Sequence, residues 1–275
     1  MDQSGAATQY ALGHSERELE RLGAQARVFG PFTRRMLHQA GLAEGMRVLD
    51  VGTGTGDVAF LCADLVGPSG EVVGADRSPA AIETARERAR RAGLRHVIFT
   101  VDDAQNPQIH GPFDAVVGRL VLMHQPDPVT VLRKLSALTG PRGIVAFQEF
   151  DIGAALSSPP SPTFDRYMQW MTKVFTAAGT DARMGLKLHS VFVEAGLPAP
   201  SMSLDAGIWG GGNNPAAVMV SDVVRSLLPV AAKLGLPPEP ESAISTVRER
   251  IEQELRDSGG VAISPSLIGA WTRLD

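Results

Sequence analysis

The chain has 275 residues, 44% of them hydrophobic and 20% charged, with a formal net charge of -4. That apolar content supports a sizeable core and excludes disorder as the dominant state, while the acidic balance offers no basic field for a nucleic acid. Cys62 stands alone, so no internal disulfide or cysteine-rich zinc site is expected, and no apolar run of about 18 residues or more predicts a membrane span.

Taken in chain order, residues 1–13 read as a loose polar segment with no signal pattern, and a cytoplasmic protein is expected. Ser15-Glu16-Arg17-Glu18 is a capping box. It opens a helix carrying Leu19, Leu22 and Ala26. Pro31 opens a second helix, which Gly41 ends. Strands are predicted at Arg47–Val51, Glu71–Ala75, Val97–Val101, Phe113–Gly118 and Gly143–Phe150. Helices are predicted between them at Asp57–Val66, Pro79–Ala92 and Asp127–Leu138. Continuous apolar strands alternating with amphipathic helices predict an α/β fold with a doubly wound, mostly parallel sheet.

Beyond residue 156 the pattern is less regular. Ser157-Ser158-Pro159-Pro160-Ser161-Pro162 reads as a linker, and helices are predicted at Thr163–Ala178 and Leu186–Ala195. A strand over Ser201–Trp209 precedes the turn Gly210-Gly211-Gly212-Asn213-Asn214. Two helical stretches follow, near Pro215–Leu234 and Glu241–Ser258, and the last strand centres on Leu267–Trp271. This divides the chain into an N-terminal helical lid (1–44), a ligand-binding core (45–156) and the rest of the core (157–275) with a helical cap inserted around 210–260.

The most informative segment is Asp50-Val51-Gly52-Thr53-Gly54-Thr55-Gly56-Asp57, between a strand and a helix. Glycines there permit positive φ and close approach of a ligand to the backbone. Asp76 ends the next strand, where a carboxylate can accept hydrogen bonds from a ribose. A dinucleotide fingerprint would place its third glycine where Asp57 stands, and a carboxylate there opposes pyrophosphate. A cationic ligand without phosphate suits the loop better.

Asp50 to Gly56 resembles the first motif of the class I S-adenosylmethionine-dependent methyltransferases. The resemblance continues, in family order, through Gly74-Ala75-Asp76, Val101-Asp102-Asp103-Ala104, Phe113-Asp114-Ala115-Val116-Val117, Leu122-Met123-His124-Gln125-Pro126-Asp127-Pro128 and Gly140-Pro141-Arg142-Gly143. It covers roughly residues 45–150. It implies a seven-stranded Rossmann-like sheet and S-adenosyl-L-methionine as cofactor. Gly52, Gly54 and Gly56, with Thr53, would line the methionine moiety, and Asp50 would orient the loop and reach the amino group. Asp76, with Arg77 beside it, would bind the ribose. Asp103 would bond the adenine amino group and Ala104 would offer its backbone N–H. Arg119 would border the methionine part, pairing with the cofactor carboxylate or with Asp50.

Methyl transfer from a sulfonium needs alignment, and a base only when the acceptor carries an acidic proton. His124 is the first base candidate, with a structural turn as the alternative reading. Glu149 and Asp151 flank the end of the fifth strand, where one of them would face the acceptor as base or polar anchor. Tyr10 and His14 would reach the site from the N-terminal segment. The helix at 163–178 carries Phe164, Tyr167, Met168, Trp170, Met171, Val174 and Phe175, too many for one narrow stripe. It buries against the cap, a partner subunit or an apolar substrate, with core packing alone as the alternative reading. Trp170 on this helix is expected to touch the acceptor, and Trp209 to form a mobile wall of the pocket. No spaced histidine pair suggests a metal. The expected activity is methylation of a small, largely apolar acceptor, at oxygen before carbon or nitrogen, in bacterial secondary metabolism. A homodimer is an expected assembly. The rivals are a family member that uses the sulfonium charge for a rearrangement or cyclisation, a nicotinamide oxidoreductase, and a regulatory subunit.

Overall fold

The structure is a computed structural model describing residues 16–238 and 244–275, with side chains from Val28 onward. In chain order its first half comprises α1 (Glu16–Ala40), β1 (Arg47–Val51), α2 (Asp57–Val66), β2 (Glu71–Asp76), α3 (Pro79–Ala92), β3 (Val97–Val101), β4 (Phe113–Arg119), α4 (Pro128–Ser136) and β5 (Thr139–Asp151). The second half comprises β6 (Leu156–Ser158), α5 (Pro162–Ala177), α6 (Met184–Glu194), β7 (Ser201–Asp205), β8 (Ile208–Gly210), α7 (Pro215–Lys233), α8 (Val247–Ser258), β9 (Val261–Ile263) and β10 (Ser266–Arg273). The main sheet has seven strands in the order β3-β2-β1-β4-β5-β10-β7, and it is open. β1 to β5 are mutually parallel, and β10 runs antiparallel to both β5 and β7.

Local chemistry sets most helix starts. Pro occupies the first turn of α3, α4, α5 and α7, where its missing N–H costs nothing. Ser78, Asp127, Ser161 and Asn214 precede these helices, and each accepts a backbone N–H at the helix start. The same proline rule fails at Pro31. The structure has one helix over 16–40 instead of two, and it runs through Pro31.

One face of the sheet carries α1, α2 and α3, burying Met36, Leu37, Cys62 and Ile82. The other carries α4 and α6, and its core continues into α5, α7 and α8. Each large side chain buried there contributes about 2 kcal/mol. α7 is long and apolar enough, by length and composition, to cross a membrane, with a mean hydropathy of 1.4. In this fold Val220, Val224 and Leu227 of that helix sit in the core.

Three further expectations change. The proline-rich linker contains a strand, β6. Ser201–Trp209 is not one strand: β7 ends at Asp205 in the main sheet, and β8 joins a separate three-stranded sheet of order β6-β9-β8. Of the expected helix at 241–258, residues 239–243 lie outside the described residues, and a turn at 245–246 precedes the helix that runs from Val247 to Ser258.

Candidate functional site

The order of the sheet reverses between β1 and β4, since β2 and β3 lie on one side of β1 and β4 and β5 on the other. Crossovers leave a crevice at such a switch point, beyond the carboxyl ends of the strands. Register brings the ends together: Val51 pairs with Ala75 and Gly118, and Asp76 with Val101. The loop after β1, Asp76, the Asp102–Asp103 turn and Arg119 therefore share one edge.

A cavity of about 270 Å³ opens there. Gly52, Thr53, Gly54, Asp76, Arg77, Asp103, Ala104 and Arg119 line it, as does His124. Gly52 and Gly54 have φ of 64° and 53°, which favours glycine. A Cβ on Gly52 would lie 2.6 Å from Val121 Cγ2, whereas a Cβ on Gly54 would meet nothing within 4 Å. Gly54 thus presents bare backbone to open space. The loop is held from two sides. Asp76 Oδ2 accepts from the Gly54 N–H at 2.9 Å, and Asp76 Oδ1 from the Ser78 N–H at 2.8 Å. From α3, Arg88 donates to the Thr55 carbonyl at 2.6 Å and to Asp57 at 2.8 Å. The carboxylate that argued against a pyrophosphate is thereby neutralised.

Asp50 lies buried beneath the loop and does not itself line the cavity, so the expected reach to the amino group is not direct, and its visible role is to hold the loop. Its Oδ2 accepts from the Thr53 hydroxyl at 2.6 Å, and its Oδ1 has no hydrogen-bond partner among the described residues. Burial pushes its carboxyl up to about 7, against the pull of Thr53 and Arg119. Arg119 donates to Thr33 Oγ1 at 3.1 Å, and burial lowers its pKa. Asp102 accepts from the backbone N–H groups of Asp103, Gln108 and Ile109, so its oxygens shape the loop. Asp103 has one such bond, from Gln105 at 3.0 Å. That division favours Asp103 as the ligand-facing acid.

Several expected site residues lie elsewhere. Gly56 does not line the cavity; a Cβ there would lie 2.8 Å from Phe99 Cζ, so its role is helix–strand packing. Glu149 is fully buried and accepts from the N–H groups of Val121, Leu122 and Met123. It does not face the cavity. Asp151 pairs with Arg183 through contacts of 3.1 and 3.2 Å, also away from the cavity. The Trp170 indole N–H donates to the Leu236 carbonyl at 2.9 Å, and the Trp209 ring folds over Gly207. Neither tryptophan lines the cavity. Tyr10 and His14 lie outside the described residues.

The apolar half of the cavity includes the helix at 163–178 that the sequence offered to an apolar substrate, and it adds residues the sequence did not mark, namely Phe29, Phe150, Met219 and Val223. Phe29 comes from α1, Phe150 from β5, Met168, Met171 and Phe175 from α5, and Met219 and Val223 from α7. Phe29 and Phe150 meet edge to face, with centroids 5.1 Å apart. The one signal available was the density of Met and Phe in the 163–178 helix. Within this wall His124 Nδ1 lies 3.3 Å from Thr180 Oγ1. Burial, and secondarily the charge of Arg77, lower its pKa to about 4, so the imidazole is neutral at pH 7.

A family model described as a methyltransferase domain matches residues 42–196. The chain belongs to the S-adenosylmethionine-dependent class I methyltransferases. Among curated relatives, an aklanonic acid methyltransferase (DauC) of a Streptomyces species is 35% identical over 156 residues, 56% of this chain and 70% of that one. A 2-phytyl-1,4-naphtoquinone methyltransferase of Synechococcus elongatus is 37% identical over 129 residues, 46% of this chain and 52% of that one. The alignment thus spans about half the length of the latter. Among solved structures, the YcgJ protein of Bacillus subtilis superposes with a TM-score of 0.55 at 17% identity, covering 88% of this chain and 98% of that one. The (4+2)-cyclase SpnF gives 0.51 at 18% identity, covering 89% and 82%. These two likenesses bear on the fold alone.

The residues present fit S-adenosylmethionine, the cofactor of the family. The bare backbone at Gly54 and the acceptor carboxylates of Asp76 and Asp103 face the cavity as a nucleoside with an amino-acid tail requires, and Asp50 lies buried behind the loop with one oxygen unpartnered among the described residues. The methyltransferase offers no glycine-lined phosphate cradle of dinucleotide spacing.

Proposed function

We propose that this methyltransferase modifies a small aromatic acceptor of the polyketide or quinone class, at an acidic oxygen. The observation that carries the proposal is the apolar wall of Phe29, Phe150, Met168, Met171, Phe175 and Met219, which adjoins the glycine loop in one cavity. Thioethers and ring edges suit a flat aromatic body. The two relatives are named for methylation of aklanonic acid and of a phytyl naphthoquinone, which agrees with that chemistry.

In this reading Asp76 receives the ribose and Asp103 with Ala104 the adenine, while Asp50 acts from beneath the loop, holding it through Thr53 and placing negative charge behind the amino group. Arg119 and Arg77 border the same part of the cavity. When bound, S-adenosylmethionine supplies a methyl group on a positively charged sulfur. The wall from α5 and α7 orients the acceptor and excludes water. His124, neutral at pH 7, accepts the acceptor proton. A base this weak cannot draw the proton from an alcohol or an ordinary phenol; it serves an acceptor that already ionises near neutral pH, such as a phenol or enol conjugated to a carbonyl, which favours oxygen as the methylated atom.

The test is incubation of the enzyme and S-adenosylmethionine with a panel of hydroxylated anthraquinones, naphthoquinols and aliphatic alcohols, read by mass gain and by S-adenosylhomocysteine release. Methylation confined to the aromatic compounds is expected. Conversion of a compound without S-adenosylhomocysteine would instead support use of the sulfonium as a fixed charge.

A further inference from the structure

We propose that Glu149 is a positioning residue that shapes the cofactor wall, holding the turn after β4 against the glycine loop and carrying His124 into the cavity. The inference rests on this cavity being the S-adenosylmethionine site.

Glu149 lies near the end of β5, with its carboxylate reaching under the neighbouring strand end. Its Oε1 accepts from the Val121 and Leu122 N–H groups at 2.9 and 2.7 Å, and its Oε2 from Met123 at 3.3 Å. These three consecutive amides begin the single 3-10 turn Leu122–His124 and have no partners within it. Turned onto one carboxylate, they act as a nest. The chain needs such a hold, because Leu120 sits at φ 58°, a conformation that a branched residue keeps only when its surroundings impose it. β5 imposes it twice, since the Leu120 N–H also donates to the Gln148 carbonyl at 2.8 Å.

Two parts of the site depend on this turn. Val121 packs so tightly on Gly52 that its Cγ2 would lie 2.6 Å from a Cβ there, so the position of Val121 sets the position of the loop. His124 closes the same turn and lines the cavity. The neighbouring residue acts on the adjacent part of the wall: Gln148 Oε1 accepts from the Thr33 hydroxyl at 2.7 Å, and Thr33 Oγ1 accepts from Arg119 at 3.1 Å. The Glu149 carboxylate itself does not line the cavity, so it acts through the backbone it holds.

The test uses S-adenosylhomocysteine binding by calorimetry, amide hydrogen exchange and methyl transfer on wild type, Glu149→Gln and Glu149→Ala. The glutamine keeps one acceptor oxygen but opposes an NH2 to the Met123 N–H. It should weaken S-adenosylhomocysteine about 10-fold, and the alanine about 100-fold or more, as expected for lost hydrogen bonds to a buried acceptor. Exchange at Val121, Leu122 and Met123 should accelerate in the same order. Should Glu149→Ala fail to fold, Glu149→Gln and Glu149→Asp carry the comparison. Unchanged affinity and unchanged protection at 121–123 in both variants would overturn the proposal. So would a Glu149→Gln enzyme that binds S-adenosylhomocysteine normally yet loses all turnover, since that is the behaviour of a direct base. A wild-type protein that does not bind S-adenosylhomocysteine would overturn the cofactor assignment instead, while exchange at 121–123 still reads the Glu149 contacts.

Discussion

The Asp76 carboxylate and the Gly54 backbone N–H, 22 residues apart in sequence, meet at 2.9 Å. One acid therefore fixes the glycine loop and faces the cavity at once. The second oxygen of Asp76 caps the start of the next turn through Ser78. Asp76→Ala should weaken S-adenosylhomocysteine about 100-fold or more, and Asp76→Asn less, since each lost bond to a charged acceptor costs about 1.5–3 kcal/mol. Calorimetry on the two variants checks this. Equal, small effects would mean that the acid serves the loop alone.

Asp50 gives the site a pH dependence with a defined sign. Its carboxyl is raised by burial to about 7 from an ordinary value of 3.8. The folded protein without ligand thus holds a proton there that the unfolded chain has lost. The associated stability is full below pH 3.8 and disappears as pH rises through 7. Glu149, raised to about 8 by burial, adds to the same trend from 4.5 upward. A cationic amino group bound in the cavity above the loop favours the ionised form of the acid beneath it, so binding expels the proton. Affinity for S-adenosylhomocysteine should rise from pH 5.5 toward about 7 and then level off, with proton release visible in buffers of different ionisation enthalpy. Asp50→Asn should flatten both profiles.

The framework of this site was legible in the sequence, because it is built from local signals. Glycines at 52 and 54, an acid at the end of the next strand, and small apolar strands each announce their own place. Glu149 was not legible. β5 is buried on both faces from Gly143 onward, so alternation gives no clue to which side of the sheet a residue faces. Nor does it show that three amides after β4 await the carboxylate. Trp170 and Trp209 misled for a related reason. On α5, Met168, Met171 and Phe175 recur at spacings of three and four and face the cavity together, while Trp170, two residues from Met168, turns to Leu236. Size alone did not mark a wall residue.

His124 supplies a third prediction. With the acceptor identified by the panel, His124→Gln should lower turnover about 100-fold, the usual weight of one proton-transfer group, while S-adenosylhomocysteine affinity stays within about 3-fold. Because burial holds the imidazole near 4, the wild-type rate should show no limb from this residue between pH 6 and 8. An inflection near 6.5 that vanishes in the variant would place His124 in a wetter setting.

The apolar wall can be tested apart from the cofactor. Met168→Ala and Met171→Ala remove volume from α5, and a deletion of this size in a packed wall costs about 2–5 kcal/mol when nothing refills it. The Michaelis constant for an aromatic acceptor should rise at least 10-fold, with S-adenosylhomocysteine binding unaltered. Leucine at either position should be nearly neutral, as a swap that conserves volume.

The small sheet of β6, β9 and β8 joins residues 156–158, 208–210 and 261–263, three stretches far apart along the chain. Around it stand the helices that wall the acceptor side of the cavity. If these helices choose the acceptor as proposed, that choice is not a cassette. Grafting residues 210–260 alone from a relative would import one wall and leave its partners foreign, so recombination that alters selectivity must exchange all three stretches together.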